Sequence, residues 1–113
     1  MKLRELIKKL QLEVVAGEDS LDVEVTSGCV SDILSDVMAK APKDSIWVTN
    51  HTHQNVIALV FFKRLSGVII AGGVEPEEDA LEKAIEKKIP VFKTKLNAFD
   101  LVGMLYELGL RGQ

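Results

Sequence analysis

Both histidines of the chain lie two residues apart, in the segment TNHTH at residues 49–53. In an extended segment, His51 and His53 point to the same side and could hold a metal ion, but such a site needs at least a third ligand. Asp32 and Glu75 are the only nearby candidates, and their spacing singles out neither. A catalytic base would need a nucleophile and an orienting group, and no such pattern appears. A metal-assisted enzyme that uses the two histidines is therefore kept only as an alternative hypothesis.

The same segment fits two roles that need neither metal nor catalysis. In one, His51 or Thr52 caps the helix that begins near Gln54. In the other, free backbone N–H groups at the start of that helix, together with Asn50 and the histidines, meet an anion or a polar ring of a ligand. We predict a binding loop with no catalytic residue, no metal site and no cofactor.

Paired glycines follow a buried apolar run in IIAGGVEPEE. Gly72 and Gly73 allow a close approach of the backbone, either to a ligand or in a turn. The pattern is neither G-x-G-x-x-G nor G-x-x-x-x-G-K-[ST], so it predicts neither a dinucleotide fold nor a P-loop. Glutamates within residues 75–78 would repel phosphate from the next helix. An anion would therefore bind at residues 50–54 or near Lys95.

The bulk composition indicates one domain, spanning residues 1–113, with an ordinary hydrophobic core. The chain is 47% hydrophobic and 27% charged, which is typical of globular proteins. Its net charge of −3 argues against nucleic acid as a partner. No apolar window reaches the length of a membrane span, and the charged N-terminus is not a signal peptide. The cytoplasm is the expected compartment, and Cys29, the only cysteine, is expected to be a small buried residue that binds no cluster alone.

Hydrophobic periodicity predicts alternating strands and helices. A helix from Leu3 precedes a short strand that ends at Gly17, and a second strand is predicted over 23–30, with a bulge at Gly28. Later strands are predicted at IWV, which places Trp47 in the core, and at GVIIAGG and PVFKT. The helices between and after them start near Ser31 or Asp32, Gln54, Pro76, and Asn97 or Thr94. The fold class is α/β, with a mostly parallel sheet of about four to five strands and helices on both faces.

Ligands in such sheets bind outside the carboxyl ends of the strands. Polar and glycine residues gather at that edge by topology alone, whatever the chemistry of each. The predicted ligand-binding residues are Ser31, Asp32, Thr49, Asn50, His51, His53, Gly72, Gly73 and Thr94. Alternation along the last strand places Lys93 and Lys95 opposite Thr94, where at least one is a solvated charge.

The helix in QNVIALVFFKRL is apolar nearly all round. A helix of this kind is buried on two sides, and one sheet face cannot bury both Phe61 and Phe62. We therefore predict a homodimer through the helix that contains Val60, Phe61 and Phe62.

Three longer stretches resemble a stand-alone DRTGG domain. They are VTSGCVSDILSDVMAKAPKDSIWVT, HQNVIALVFFKRLSGVIIAGGVEPEEDALEKAIEKKIPVFKT and AFDLVGMLYELGL, and together they cover essentially the whole chain. The pairing of GVIIAGGVEP with IPVFKT is the most specific part, although the name-giving pentapeptide does not occur. The resemblance implies a fold similar to the N-terminal domain of HPr kinase/phosphorylase. It implies no kinase activity, because the kinase P-loop belongs to another domain.

The resemblance also implies regulation, since related domains lie beside CBS domains and within some phosphotransacetylases. The leading hypothesis is a non-enzymatic regulatory or ligand-sensing domain that binds a nucleotide or another small phosphorylated ligand. Stand-alone members often sit near genes for iron-only hydrogenase subunits and sensor kinases. The alternative is therefore a protein-interaction or accessory module for a redox enzyme such as that hydrogenase, without binding a cluster itself.

Overall fold

The computed structural model describes residues 1–112, in which strands alternate with helices. In chain order the elements are α1 (Leu3–Leu10), β1 (Glu13–Ala16), a 3-10 turn (Glu18–Ser20), β2 (Ser27–Val30), α2 (Leu34–Lys40), β3 (Ser45–Thr49), α3 (Gln54–Lys63), β4 (Gly67–Ile70), α4 (Glu78–Lys87), β5 (Val91–Lys93) and α5 (Ala98–Glu107). No helix in this part of the chain is long and apolar enough to cross a membrane.

The five strands form one sheet in the order β1-β5-β4-β3-β2. Strands β2 to β5 are parallel neighbours in sequence order. Strand β1 pairs antiparallel with β5, and its register shifts between Val14 and Ala16. The prediction of a mostly parallel α/β sheet of four to five strands is confirmed.

Helices cover both faces of the sheet, also as predicted. Right-handed crossovers between sequential parallel strands place α2, α3 and α4 on one face, and α1 and α5 pack on the other. Alternate strand residues therefore belong to different hydrophobic clusters. The first cluster includes Trp47, Val68 and Ile70 with Val56, Val60 and Ala84. The second includes Ile46, Val48, Ile69 and Phe92 with Leu3, Leu6 and Leu101.

The predicted strand over residues 23–30 is too long, and its bulge at Gly28 is wrong. Strand β2 covers only the second half of that segment, and Gly28 pairs with Ile46 in regular register. The first half bonds instead to the start of the chain, since the Val25 N–H donates to the carbonyl of Met1 at 2.7 Å.

The predicted helix caps are only partly correct. Asn97 caps α5, as expected, by accepting a hydrogen bond from Asp100 N at 2.9 Å. Helix α3 is capped by His53, whose Nδ1 accepts from Asn55 N at 3.1 Å, so the prediction of His51 or Thr52 is wrong. Helix α2 has no side-chain cap, because the side chains of the two predicted residues have other partners.

Candidate functional site

The topology creates one crevice at the carboxyl edge of the sheet. The chain leaves β2, β3 and β4 towards helices on one face, whereas it leaves β5 towards α5 on the other. Diverging connections of this kind mark the usual ligand position in open α/β sheets. Here they are the β4–α4 and β5–α5 connections.

Asp32 joins the ends of β2 and β3. Its Oδ1 accepts from Thr49 Oγ1 and from Asn50 N, both at 2.8 Å. The His51 N–H in turn donates to Thr49 Oγ1 at 3.1 Å. The Asn50 N–H is the main cause that lowers the pKa of Asp32; partial burial opposes it, while the Thr49 hydroxyl and the nearby His51 add to the lowering. These four predicted residues therefore come together around one carboxylate.

The two histidines have separate partners. His51 Nε2 lies 2.5 Å from the backbone oxygen of Asp32, and because a carbonyl only accepts, that nitrogen carries hydrogen. His53 instead accepts from Asn55 N through Nδ1. Within residues 1–112, no three His, Cys, Asp or Glu side chains are grouped so as to hold a metal ion.

The paired glycines form a turn that joins the two diverging connections. Gly72 and Gly73 have φ of +83° and +74°, a region that L side chains rarely adopt. Their N–H groups donate to the carbonyls of Leu96 at 2.8 Å and Thr94 at 2.9 Å. A Cβ on Gly72 would lie 3.5 Å from Asn50 Oδ1, so the glycine turn lies beside the Asp32 cluster. The glycine N–H groups are already bonded within the protein.

Ser31 lies apart from this turn. Its Oγ accepts from Ile33 N at 3.0 Å, and its carbonyl accepts from Trp47 Nε1 at 2.9 Å. It lines a separate cavity of about 330 Å³ along the outer edge of β2. Cys29 lines that cavity too, and burial raises the pKa of its thiol to about 11. Trp47 is fully buried, as predicted.

A cavity of about 640 Å³ opens beside the β4–α4 and β5–α5 connections. It includes two predicted residues, Gly73 and Thr94, and it includes Lys95, near which an anion is predicted. We call this cavity the lysine crevice. It is lined by Lys9, Leu10, Gln11, Glu13, Gly73, Glu75, Lys93, Thr94, Lys95, Leu96 and Met104.

The charges of the lysine crevice are unevenly paired. Lys93 Nζ lies 2.5 Å from Glu75 Oε1 and 3.2 Å from Glu13 Oε2, and these hydrogen bonds raise the pKa of Lys93. In the described residues, Lys9 and Lys95 form no ion pair within 4 Å. Lys93 and Lys95 line the same crevice as Thr94, contrary to the predicted alternation, because β5 ends at Lys93.

Four crevice residues had no signal in the sequence. Lys9 and Gln11 lie at the end of α1, Glu13 begins β1, and Met104 lies on α5. Their approach depends on how α1 and α5 pack against the sheet, which spacing along the chain does not encode.

A second large concavity lies on the outer side of the α2–α3–α4 face. It has a volume of about 660 Å³, and we call it the apolar groove; its lining includes Leu34, Met38, Ala58, Phe61, Phe62 and Lys87. Phe61 is 55% exposed and Phe62 is 71% exposed. One sheet face therefore does not bury both, as expected.

A solved structure shares this fold. It contains the CBS and DRTGG domains of the regulatory region of Clostridium perfringens pyrophosphatase, complexed with the activator diadenosine tetraphosphate. The TM-score is 0.74 at 18% identity, and the alignment covers 91% of this chain and 45% of that one. The chain thus spans less than half of the region it matches. No curated protein matches the sequence.

The family model for the DRTGG domain matches residues 5–108. That range contains all five strands, the glycine turn and nearly all of the lysine crevice. It confirms the resemblance inferred from the sequence over almost the whole chain. The chain belongs to the DRTGG domain family.

Proposed function

We propose that this chain is a non-enzymatic regulatory domain that senses a nucleotide or another small phosphorylated ligand at the carboxyl edge of its sheet. The observation that carries this proposal is the lysine crevice, which lies where the chain connections diverge. Its volume of about 640 Å³ falls in the range of about 300–1,000 Å³ usual for small-molecule sites.

The charge pattern of the crevice favours an anion. Lys93 holds both carboxylates, from Glu13 and Glu75, so that Lys9 and Lys95 remain to attract phosphate. This local excess of positive charge contrasts with the net charge of −3 of the chain. Steering of an anionic ligand depends on such local fields more than on net charge.

The remaining lining suits a ligand with a flat apolar part. Thr94 Oγ1 accepts from Leu96 N at 3.2 Å, which leaves its hydroxyl hydrogen to donate to the ligand. Leu10, Leu96 and Met104 supply the apolar wall, and thioether side chains make favourable contacts with rings. The regulatory pyrophosphatase region that shares the fold is complexed with a nucleotide activator, which supports this class of ligand.

Within the predicted site we assign different roles to the residues. Gly73 and Thr94 contact the ligand. Asp32 carries a negative charge and organises Asn50 and His51, so this half of the edge holds the loops in place and does not bind phosphate itself.

The proposal is tested by titrating the purified domain with ATP, diadenosine tetraphosphate and inorganic phosphate, monitored by calorimetry and thermal shift. A ligand at a hundred times its Kd should stabilise the domain by about 2.7 kcal/mol. Lys9→Glu and Lys95→Glu should each weaken binding at least tenfold, whereas Lys43→Glu, an exposed lysine outside the crevice, should not. Absence of binding by all three compounds would overturn the proposal.

A protein-interaction module is the second candidate, and the apolar groove favours it. An accessory role beside a redox enzyme such as an iron-only hydrogenase would use this surface. Neither the family match nor the structural match involves a hydrogenase. Purified hydrogenase subunits should then form a stoichiometric complex that Phe62→Glu abolishes; no complex at micromolar concentration would remove this candidate.

A metal-assisted reaction at His51 and His53 is the remaining alternative. Both ring systems already have protein partners, which would have to be released for joint coordination. Titration with zinc, nickel and iron(II) tests it directly, and binding lost in the His51→Ala variant would revive it.

A further inference from the structure

The apolar groove carries an inference that is independent of the proposed ligand. We propose that a second copy of this chain covers the groove, with Phe62 of each protomer inserted between α2 and α3 of the other. The result is a two-fold symmetric dimer in which the α2–α3–α4 faces pack together.

Phe62 is the side chain that most needs a partner on this face. It is 71% exposed at the C-terminal end of α3. Phe61 beside it is partly sheltered, because Lys87 Nζ lies 5.2 Å from the centre of its ring. A contiguous exposed apolar patch on a small protein usually marks an interaction site.

The groove and the projecting ring lie next to each other on one surface, which is what a two-fold interface requires. In such an interface the same patch serves both partners, so a projection must face a matching recess. The recess here has walls from Leu34 and Met38 on α2 and a floor at Ala58 on α3. Ala58 is exposed and small, so it leaves room for an incoming ring.

The face is large enough for a stable dimer. The molecule measures 33 × 28 × 25 Å, so one face projects an area on the order of 800 Å², the usual contribution of each partner to a specific interface. Pairing α3 with α3 of a second copy would also account for a helix that is apolar towards both the sheet and the surface.

Sedimentation velocity from 1 to 100 µM tests the proposal. The unmodified chain should sediment as a dimer, and Phe62→Glu should raise the dimer Kd at least tenfold. Ala58→Arg fills the recess without removing a large apolar side chain and should have the same effect. Phe99→Glu is the matched control, because Phe99 is 87% exposed on α5, outside the groove, and should leave the dimer intact.

The outcomes separate a second copy from other partners, with circular dichroism used to check that each variant is folded. A monomer at 100 µM overturns the proposal, and so does a dimer that Phe62→Glu and Ala58→Arg leave unchanged. A monomeric chain that forms a stoichiometric complex with another purified protein through Phe62 would assign the groove to that partner and also overturn it.

Discussion

At the scale of single residues, Asp32 sets the geometry of the carboxyl edge. Its carboxylate takes hydrogen bonds from a backbone N–H and a hydroxyl at the end of β3, and its backbone oxygen contacts the ring of His51. One residue after β2 thus fixes three consecutive residues where β3 ends. This explains why Asp32 does not cap α2, although its position suggested that role.

Asp32→Ala should reduce the free energy of unfolding by about 1 kcal/mol at neutral pH, since two hydrogen bonds to a charged acceptor are lost at an exposed position. Urea unfolding measures this difference. Glu82→Ala on the exposed side of α4 is the control and should change stability by less than about 0.5 kcal/mol. Equal stability of the two variants would contradict the assigned role of Asp32.

The effect of Asp32 should depend on pH. Its pKa is lowered in the folded state, so its contribution is present above the unfolded pKa of about 3.9 and disappears as pH falls through the folded value. The stability gap between the unmodified chain and Asp32→Ala should therefore be full at pH 7 and shrink below about pH 4. A gap that stays constant down to pH 2 would show that the carboxylate charge is irrelevant.

At the scale of elements, α5 contains a glycine that its packing does not require. Gly103 lies in the middle of this helix, is exposed, and would have no atom within 4 Å of an added Cβ. Gly103→Ala should raise the free energy of unfolding by about 0.5–1 kcal/mol, because alanine loses less backbone entropy in a helix. The same change at Gly109, whose φ is +104°, should destabilise the protein. Thermal unfolding of both variants measures the opposite signs.

The outer edge of β2 is protected by the segment that follows α5. The Gly28 N–H donates to the carbonyl of Arg111 at 3.1 Å, and the buried Leu110 anchors that segment. Leu110→Ala should accelerate amide hydrogen exchange at Gly28 more than at Ser31, whose N–H bonds to Val48 on the inner side. Equal acceleration at both amides would mean that the segment opens only with global unfolding.

The sequence predicted elements well where periodicity was strong and less well where local polar groups competed. Apolar runs in β3, β4 and β5 identified the buried strands, and the run at Gln54 identified the helix with two apolar sides. Capping was harder, because three consecutive residues after β3 can all accept hydrogen bonds and only packing selects His53. The extra length predicted for β2 came from Val23 and Val25, which instead bond to the N-terminal residues.

At the scale of the whole molecule, topology explains which parts of the site were predictable. The order of strands and helices along the chain is sufficient to place Gly73 and Thr94 at one edge of the sheet. Lys9, Glu13 and Met104 reach the same crevice only because α1, β1 and α5 pack beside β5. Such contacts depend on three-dimensional packing between distant segments, so no local pattern announces them.

The positions of the lysine crevice and the apolar groove predict that ligand binding and dimer formation are independent. The crevice opens beside α1 and α5, whereas the groove lies on the outer side of α2, α3 and α4, and they share no lining residue. Distant sites without common partners usually contribute additively, and allosteric coupling would require two global states with different affinities. The affinity of Phe62→Glu for ATP should therefore stay within about twofold of the unmodified chain, and Lys95→Glu should keep the dimer Kd. Calorimetry and sedimentation measure the two constants. A change of about fivefold or more in either cross-measurement would correspond to a coupling free energy of about 1 kcal/mol and would show that the dimer transmits the ligand signal.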